Sequence, residues 1–533
     1  MNGKAFLGIC SAEPPATKSN RAAGFASRRR RPCRLLAGLL ALALVVPCAF
    51  AEDPPEPGHD MAPEAKVLAI PFPKDWFLPD PSYPEAYDAQ AQLDIYGAKH
   101  MNKTQMPPLM WGIRLYDWGA YTPRPTFLGA KNPIMSGLMI FGDLRLAAVD
   151  GTLGKVLPGS TPATLGKIAA RLNLEGDWQF TPTERIHALV RPLDSGGIAT
   201  NYQFGHNASG DKFTHEGNFG LKTLFLESDL GAIRAGLTNE DNKKDRPFAL
   251  GRVPIFTQNG IWADNPIDGA ELAIFTAQSS RKLDIPNYDL IVFAGFHNIA
   301  SPALPVGDTS AKLAGFAGFF DGFGGYTEYG YGYLRDSDNP DLSYHNVTAA
   351  YSKRWNGKFA NSYRIIGNFG QKANGAAKTA DGVLLLFESS LVRGSLTTLN
   401  TLTMVPYLNL FAGFKHPQPL TRAADTGGVL KNTGINFETD GLTAYPTLTA
   451  TANDAYGGAI GFENLFKLDQ QIVVELARYQ PRGNNPSGSQ TAFGVRFQRP
   501  ITNVWIVRAD AMRGWLTGQK DIYGVRLELR RKF

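Results

Sequence analysis

From about residue 135 to the end, the chain repeats one pattern: short runs in which apolar and polar residues alternate, each closed by a turn signal. Helical spacing is nearly absent over the same span. Side chains two apart in a strand share a face, so alternation makes one apolar and one polar face. In Arg171–Phe180, Leu172, Leu174, Gly176, Trp178 and Phe180 fall together, opposite Arg171, Asn173, Glu175, Asp177 and Gln179. After the turn Thr181–Glu184, Ile186, Ala188 and Val190 oppose Arg185, His187 and Arg191. The two runs predict one hairpin.

The pattern predicts strands over 136–149, 168–180, 185–193, 215–227, 230–238, 270–277, 287–297, 311–320, 324–334, 344–354, 358–369, 382–390, 398–414, 455–466, 470–479, 490–499, 502–513 and 522–533. That is about eighteen strands, with sixteen to eighteen as the working range. Short connections (181–184, 355–357, 467–469, 500–501) alternate with long ones (194–214, 239–269, 415–454, 480–489). A transmembrane barrel sorts its connections this way, with tight turns at one end and long loops at the other. The expected fold is therefore all-β: a transmembrane antiparallel β-barrel behind a proline-rich N-terminal segment. Trp178, Phe180, Phe225, Tyr329, Tyr331, Tyr333, Phe369, Phe497 and Trp505 would face lipid.

The N-terminus supplies the export route. Arg28–Arg31 and Arg34 precede the apolar run 35–46, and Ala49-Phe50-Ala51 ends it before Glu52. A basic region, a short apolar core and a small-x-small site predict a secretory signal peptide over 1–51, cleaved after Ala51. The run is shorter than the ~20 residues a spanning helix needs. Residues 52–134 form a proline-rich periplasmic or plug-like segment, and 135–533 the barrel. Expected localisation is the cell outer membrane.

Removing 1–51 changes the charge. The segment holds eight of the 54 Lys and Arg and one of the 48 acids, which leaves 46 against 47. The basic excess of the whole chain belongs to the leader, so nucleic acid is not an expected partner. Cys10, Cys33 and Cys48 also lie there, so disulfides cannot hold the mature chain.

No H-E-x-x-H motif and no phosphate-binding glycine loop is present, and the histidines lack metal-ligand spacing. Asp336–Asp341 reads as a solvated loop, since Pro340 stands where a calcium loop needs a ligand. No catalytic residue, metal or cofactor is expected, and the chain is not read as an enzyme. Alternatives are a barrel enzyme of lipase or protease type, a TonB-dependent receptor-like protein and a soluble periplasmic binding protein. Residues 52–134 are short for a receptor plug.

Strand parity selects the inner face. Arg145, Arg171, Arg185, Arg191, Arg234, Arg364, Arg496, Arg508, Arg526 and Arg530 project inward, with Asp143, Glu175, Asp177, Glu463, Glu475, Asp510 and Glu528. His187 joins them. Arginine binds carboxylates in a forked geometry and stays charged. The set fits either ladders that neutralise one another or a conduit for an acidic solute.

The last run, Tyr523–Phe533, keeps Tyr523, Val525, Leu527, Leu529 and Phe533 on one face and Arg526, Glu528, Arg530 and Lys532 on the other. Arg531 departs by placing a charge outward. The run resembles the closing strand of Gram-negative outer-membrane β-barrels, which implies that Phe533 is the signal read by the barrel-assembly machinery. In strand number and arginine content the chain is similar to porins and to the alginate-export barrels. That resemblance implies passive diffusion or export of hydrophilic solutes or an acidic polysaccharide, with outer-membrane lipids around the wall.

Overall fold

In the computed structural model, residues 109–111, 125–126 and 129–130 are described. From 137 to 533 so is nearly everything except 154–162, 205–211, 239–244, 281–284, 306–309, 373–377, 392–397, 400–401, 467–469 and a few single positions. The expected signal peptide over 1–51 and most of 52–134 lie outside the described residues, as does the expected turn 467–469.

Eighteen long strands form one antiparallel sheet. They are β1 (Gly137–Leu153), β2 (Ala163–Gln179), β3 (Arg185–Val190), β4 (Leu221–Asp229), β5 (Pro247–Thr257), β6 (Ala263–Ser280), β7 (Ile285–His297), β8 (Lys312–Gly322) and β9 (Gly325–Arg335). The rest are β10 (Tyr344–Trp355), β11 (Phe359–Phe369), β12 (Val383–Leu391), β13 (Leu402–Phe414), β14 (Ala455–Phe466), β15 (Gln470–Pro481), β16 (Gln490–Pro500), β17 (Trp505–Leu516) and β18 (Ile522–Lys532). Each pairs with its chain neighbour, and β18 pairs back onto β1 from Gly524↔Gly151 to Lys532↔Asp143. Phe533 extends that seam, exchanging both backbone hydrogen bonds with Gly142. Below the seam, Leu109–Trp111 takes the edge of β1 that β18 leaves free, pairing with Leu138–Ile140. The sheet is a closed barrel.

Closure answers the main physical demand on a strand-built membrane protein, because no backbone edge is left for lipid to desolvate. The outer face is apolar: Ile168, Trp178, Leu250, Ile365, Leu385, Leu410, Ile460, Leu476, Phe493, Val525 and Leu527 are exposed there. Their strand neighbours Ala169, Asp177, Arg364, Leu384, Ala459, Glu475, Ala492 and Arg526 are buried inside. Arg531 points outward, as the alternation requires, and its guanidinium lies 5.6 Å from the centre of the Trp505 ring.

Besides a strand, Ile198–Phe204, that pairs along Gly166–Ala170 of β2 inside the expected loop 194–214, two elements differ from the sequence expectation. Leu230–Thr238, predicted as a strand, is a helix, α1. Asp229 Oδ1 accepts the Ala232 N–H, which caps the first turn. Leu230, Ile233 and Leu237 also satisfy helical spacing, so the alternation there was ambiguous. Conversely, 239–269 is not a long loop. It contains β5 and the start of β6, joined by the tight turn 258–262. Pro247, Gly251 and Pro254 disguised the strand. Pro254 stands opposite Pro266, which confines the missing donors to one rung of the ladder. The two differences cancel, and the count stays at eighteen.

The connections sort by end. At the end that carries Phe533, β2 runs toward β3, β4 toward β5, β6 toward β7, β8 toward β9, β10 toward β11, β12 toward β13, β14 toward β15 and β16 toward β17. At the far end, β1 runs toward β2, β3 toward β4, β5 into β6, β7 toward β8, β9 into β10, β11 toward β12, β13 into β14 through 415–454, β15 toward β16 and β17 into β18. The longest of all, 415–454, does not project from the barrel. Leu420, Leu430, Phe437, Leu448 and Ala452 within it are buried.

Candidate functional site: a charged lumen crossed by a loop

The far-end loop 415–454 is built into the lumen by contacts around most of the wall. At its start, the Asn346 and Asn368 side-chain amides both donate to the Gln418 carbonyl, and the Leu420 N–H donates to the Trp262 carbonyl. The buried Arg422 guanidinium donates to the carbonyls of Gly260 and Ile261. Farther on, the loop meets the opposite side. Glu475 on β15 accepts the backbone N–H groups of Ile435 and Asn436, each at 2.9 Å. Asn409 on β13 donates to the Thr433 carbonyl at 2.8 Å. Wall glycines make room for this approach. A Cβ at Gly494 would fall 2.5 Å from Asn436 Oδ1, and one at Gly524 would fall 2.7 Å from the Pro446 ring.

The arginines meet on the seam side of the barrel. Arg530, Arg145 and Arg171 stand directly opposite one another across β18, β1 and β2. Three like charges in a row repel, so acids must interleave. Glu528 takes Arg145 in a forked pair at 2.7 and 2.9 Å and also bonds Arg526. Asp143 and Glu528 lie 3.3 and 3.6 Å from Arg530. Asp194, in the 191–220 connection, lies 2.6 Å from Arg171, which also donates to the Gly441 carbonyl at 2.9 Å. On the next strands, Arg496 and Arg508 share Asp510 at 2.7 and 2.9 Å.

The loop supplies three further carboxylates to this wall. Asp425 lies 2.7 Å from Arg191, Asp440 lies 3.1 Å from Arg526, and Glu438 sits between Arg496 at 2.6 Å and Arg508 at 3.3 Å. Burial alone would raise the Glu438 carboxyl, but the two guanidiniums outweigh it and hold it below the usual carboxylate range. Burial opposes ionisation of Asp440 too, yet Arg526 and hydrogen bonds from Thr443 and Leu442 hold its carboxyl at about 2.

The remaining predicted residues lie apart from this centre. Arg185, Asp177, Glu175 and His187 form a group nearer the Phe533 end, with Arg185 3.4 Å from Asp177 and 3.6 Å from Glu227. His187 is 3.5 Å from Glu175 and its ring meets Phe225 at 5.4 Å. Phe225 thus shares the inner face with His187, directly opposite it in register, and does not face lipid as the sequence predicted. A register shift between Leu221 and Thr223 reverses the expected parity. Arg364 pairs with Glu388 at 3.4 Å on the other side of the barrel. Arg234 lies on α1, outside the wall strands, so it is not a lumen residue. Asp336 spends Oδ1 on the N–H groups of Asp338 and Asn339 and on the Ser310 hydroxyl, which explains the acidic loop as a turn.

The sequence missed the opposite wall. Parity within β7, β8 and β9 places Asp289, Asp321 and Glu328 inward, in step with buried Phe293, Ala317 and Leu334. That signal was readable. The loop acids Asp425, Glu438 and Asp440 were not, because nothing local says that a loop turns inward. The lumen therefore has a basic side around the β18–β1 seam, an acidic side around β7–β9, and a loop across it.

No protein-family model matches the chain, and no curated protein does. Solved structures similar to it include Pseudomonas aeruginosa OccK5 (OpdH), at 9% identity and a TM-score of 0.46, covering 74% of this chain and 98% of that one. OccK1 (OpdK) of the same organism gives 12% identity, a TM-score of 0.46 and the same coverage. Wzi of Escherichia coli, an outer membrane protein involved in group 1 capsule assembly and a carbohydrate-binding β-barrel, gives 13% identity and a TM-score of 0.40 over 74% and 85%.

Proposed function

We propose that the chain is an outer-membrane channel for hydrophilic solutes, without catalytic activity, and that its basic wall favours acidic ones. Support comes first from the architecture. A closed eighteen-strand barrel has an apolar outside that only lipid accommodates, and it is wide enough for an aqueous interior. The observation that carries the solute class is the convergence of Arg145, Arg171, Arg496, Arg508, Arg526 and Arg530 on one side of that interior. Forked guanidinium donors recognise carboxylates better than ammonium groups do. Far-end loops such as 415–454 would face the cell exterior, with the Phe533 seam toward the periplasm and the assembly machinery.

The purified protein in a planar bilayer under a KCl gradient tests this reading. Wild type is expected to conduct with a mild preference for chloride. Arg185 and Arg530 retain the most solvent-open guanidiniums of the paired lumen set, at 44% and 36% side-chain exposure. Changing both to Ser should shift the reversal potential toward cations while leaving heat-modifiable gel mobility intact. A cation-selective wild type would remove the acidic-solute part.

A further inference from the structure

We infer that Arg496 and Arg508 form a carboxylate-binding site which the protein's own Glu438 occupies at rest, and which an acidic solute takes by displacing it. The inference rests on the channel reading and deepens it. Three observations carry it. The two guanidiniums project from neighbouring strands, β16 and β17, and converge on one carboxylate, with Oε2 of Glu438 at 2.6 Å from Arg496 and Oε1 at 3.3 Å from Arg508. Asp510 braces both arginines from behind, at 2.7 and 2.9 Å, so the site stays formed when Glu438 leaves. Of the three loop acids, Glu438 is the open one: its side chain is 39% exposed, against 14% for Asp425 and 7% for Asp440.

Those differences separate roles. Asp440 is enclosed with Arg526, and its carboxylate also accepts the backbone N–H groups of Leu442 and Thr443. It anchors the loop. Among the described residues the partners of the Glu438 carboxylate are the two arginines, and its side chain stays partly exposed. A tethered carboxylate competes with a free one at an effective concentration in the millimolar range, so removing it should unmask the site.

Isothermal titration of the full-length protein in detergent with sodium galacturonate, a monocarboxylate sugar, tests the inference. Glu438→Gln is expected to bind at least tenfold more tightly than wild type. Adding Arg496→Gln and Arg508→Gln to that background should abolish the gain. Glu438→Ala repeats the comparison should the Gln variant lose heat-modifiable mobility. Equal affinity of wild type and both Glu438 variants would overturn the inference, as would a gain that survives loss of both arginines. Bilayer conductance of the same samples separates this failure from failure of the channel reading: variants that conduct without tighter binding sink only the inference, and folded protein that never conducts sinks the channel.

Discussion

Individual carboxylates tie the loop to the basic wall: Asp425 to Arg191, Glu438 to Arg496 and Arg508, and Asp440 to Arg526. Asp440 carries the clearest pH signature, since its folded value of about 2 lies below the ordinary aspartate value. A depressed carboxyl stabilises the folded arrangement above its unfolded value, and that stabilisation is lost as pH falls through the folded value. The Asp440 attachment is therefore complete above about pH 4 and lapses toward pH 2. Single-channel conductance in a planar bilayer should stay flat from about pH 8 to 5 and rise only below about pH 3, as the loop loosens. A rise between pH 7 and 5 would contradict control of the loop by Asp440. The inward face of the arginines was legible in the sequence, because a residue pair such as Arg526 and Leu527 leaves only one register that keeps charge out of lipid. Their partners were less so: Asp194 and Asp440 come from connections, where alternation gives no orientation.

At the scale of elements, most strands were legible because polar and apolar residues alternate over a wall that is wet on one side and oily on the other. The failures share a cause. In 230–238 two periods fit one short segment, and a single residue beyond it, Asp229, decides for the helix. Its two carboxylate oxygens accept the N–H groups of Ala232 and Arg246, both at 2.6 Å, which fixes the start and exit of the whole 230–246 connection. Asp229→Ala should cost about 1 kcal/mol of local stability. Hydrogen exchange should then quicken across 232–238, while conductance stays as in wild type because α1 is outside the wall. Protection that does not change would remove the capping role. β5 was hidden for the opposite reason, since Pro254 and Gly251 are ordinary loop residues that a barrel tolerates when the partner strand places Pro266 opposite.

For the molecule as a whole, the wall and the loop oppose each other electrostatically. Arg171, Arg191, Arg496, Arg508 and Arg526 would give a strongly basic passage, and Asp425, Glu438 and Asp440 offset much of it from a loop lying across the same space. The acidic side around Asp289, Asp321 and Glu328 adds a second sign, so the passage is divided across its width rather than uniformly charged. The strand pattern made the barrel legible, but the passage depends on where forty residues between β13 and β14 go, and their sequence reads only as a polar, glycine-containing loop. One shortening tests the account directly. The Leu430 N–H donates to the Ala450 carbonyl at 3.0 Å, so the loop stem is already closed there and 431–449 can be replaced by two glycines. Conductance of this chain and of wild type in the same planar bilayer is the decisive comparison. The account predicts that wild type conducts, that the shortened chain conducts several-fold more, and that its reversal potential moves toward chloride as Glu438 and Asp440 are lost. A folded, heat-modifiable shortened chain that leaves the bilayer silent, or conducts no better than wild type, would contradict it.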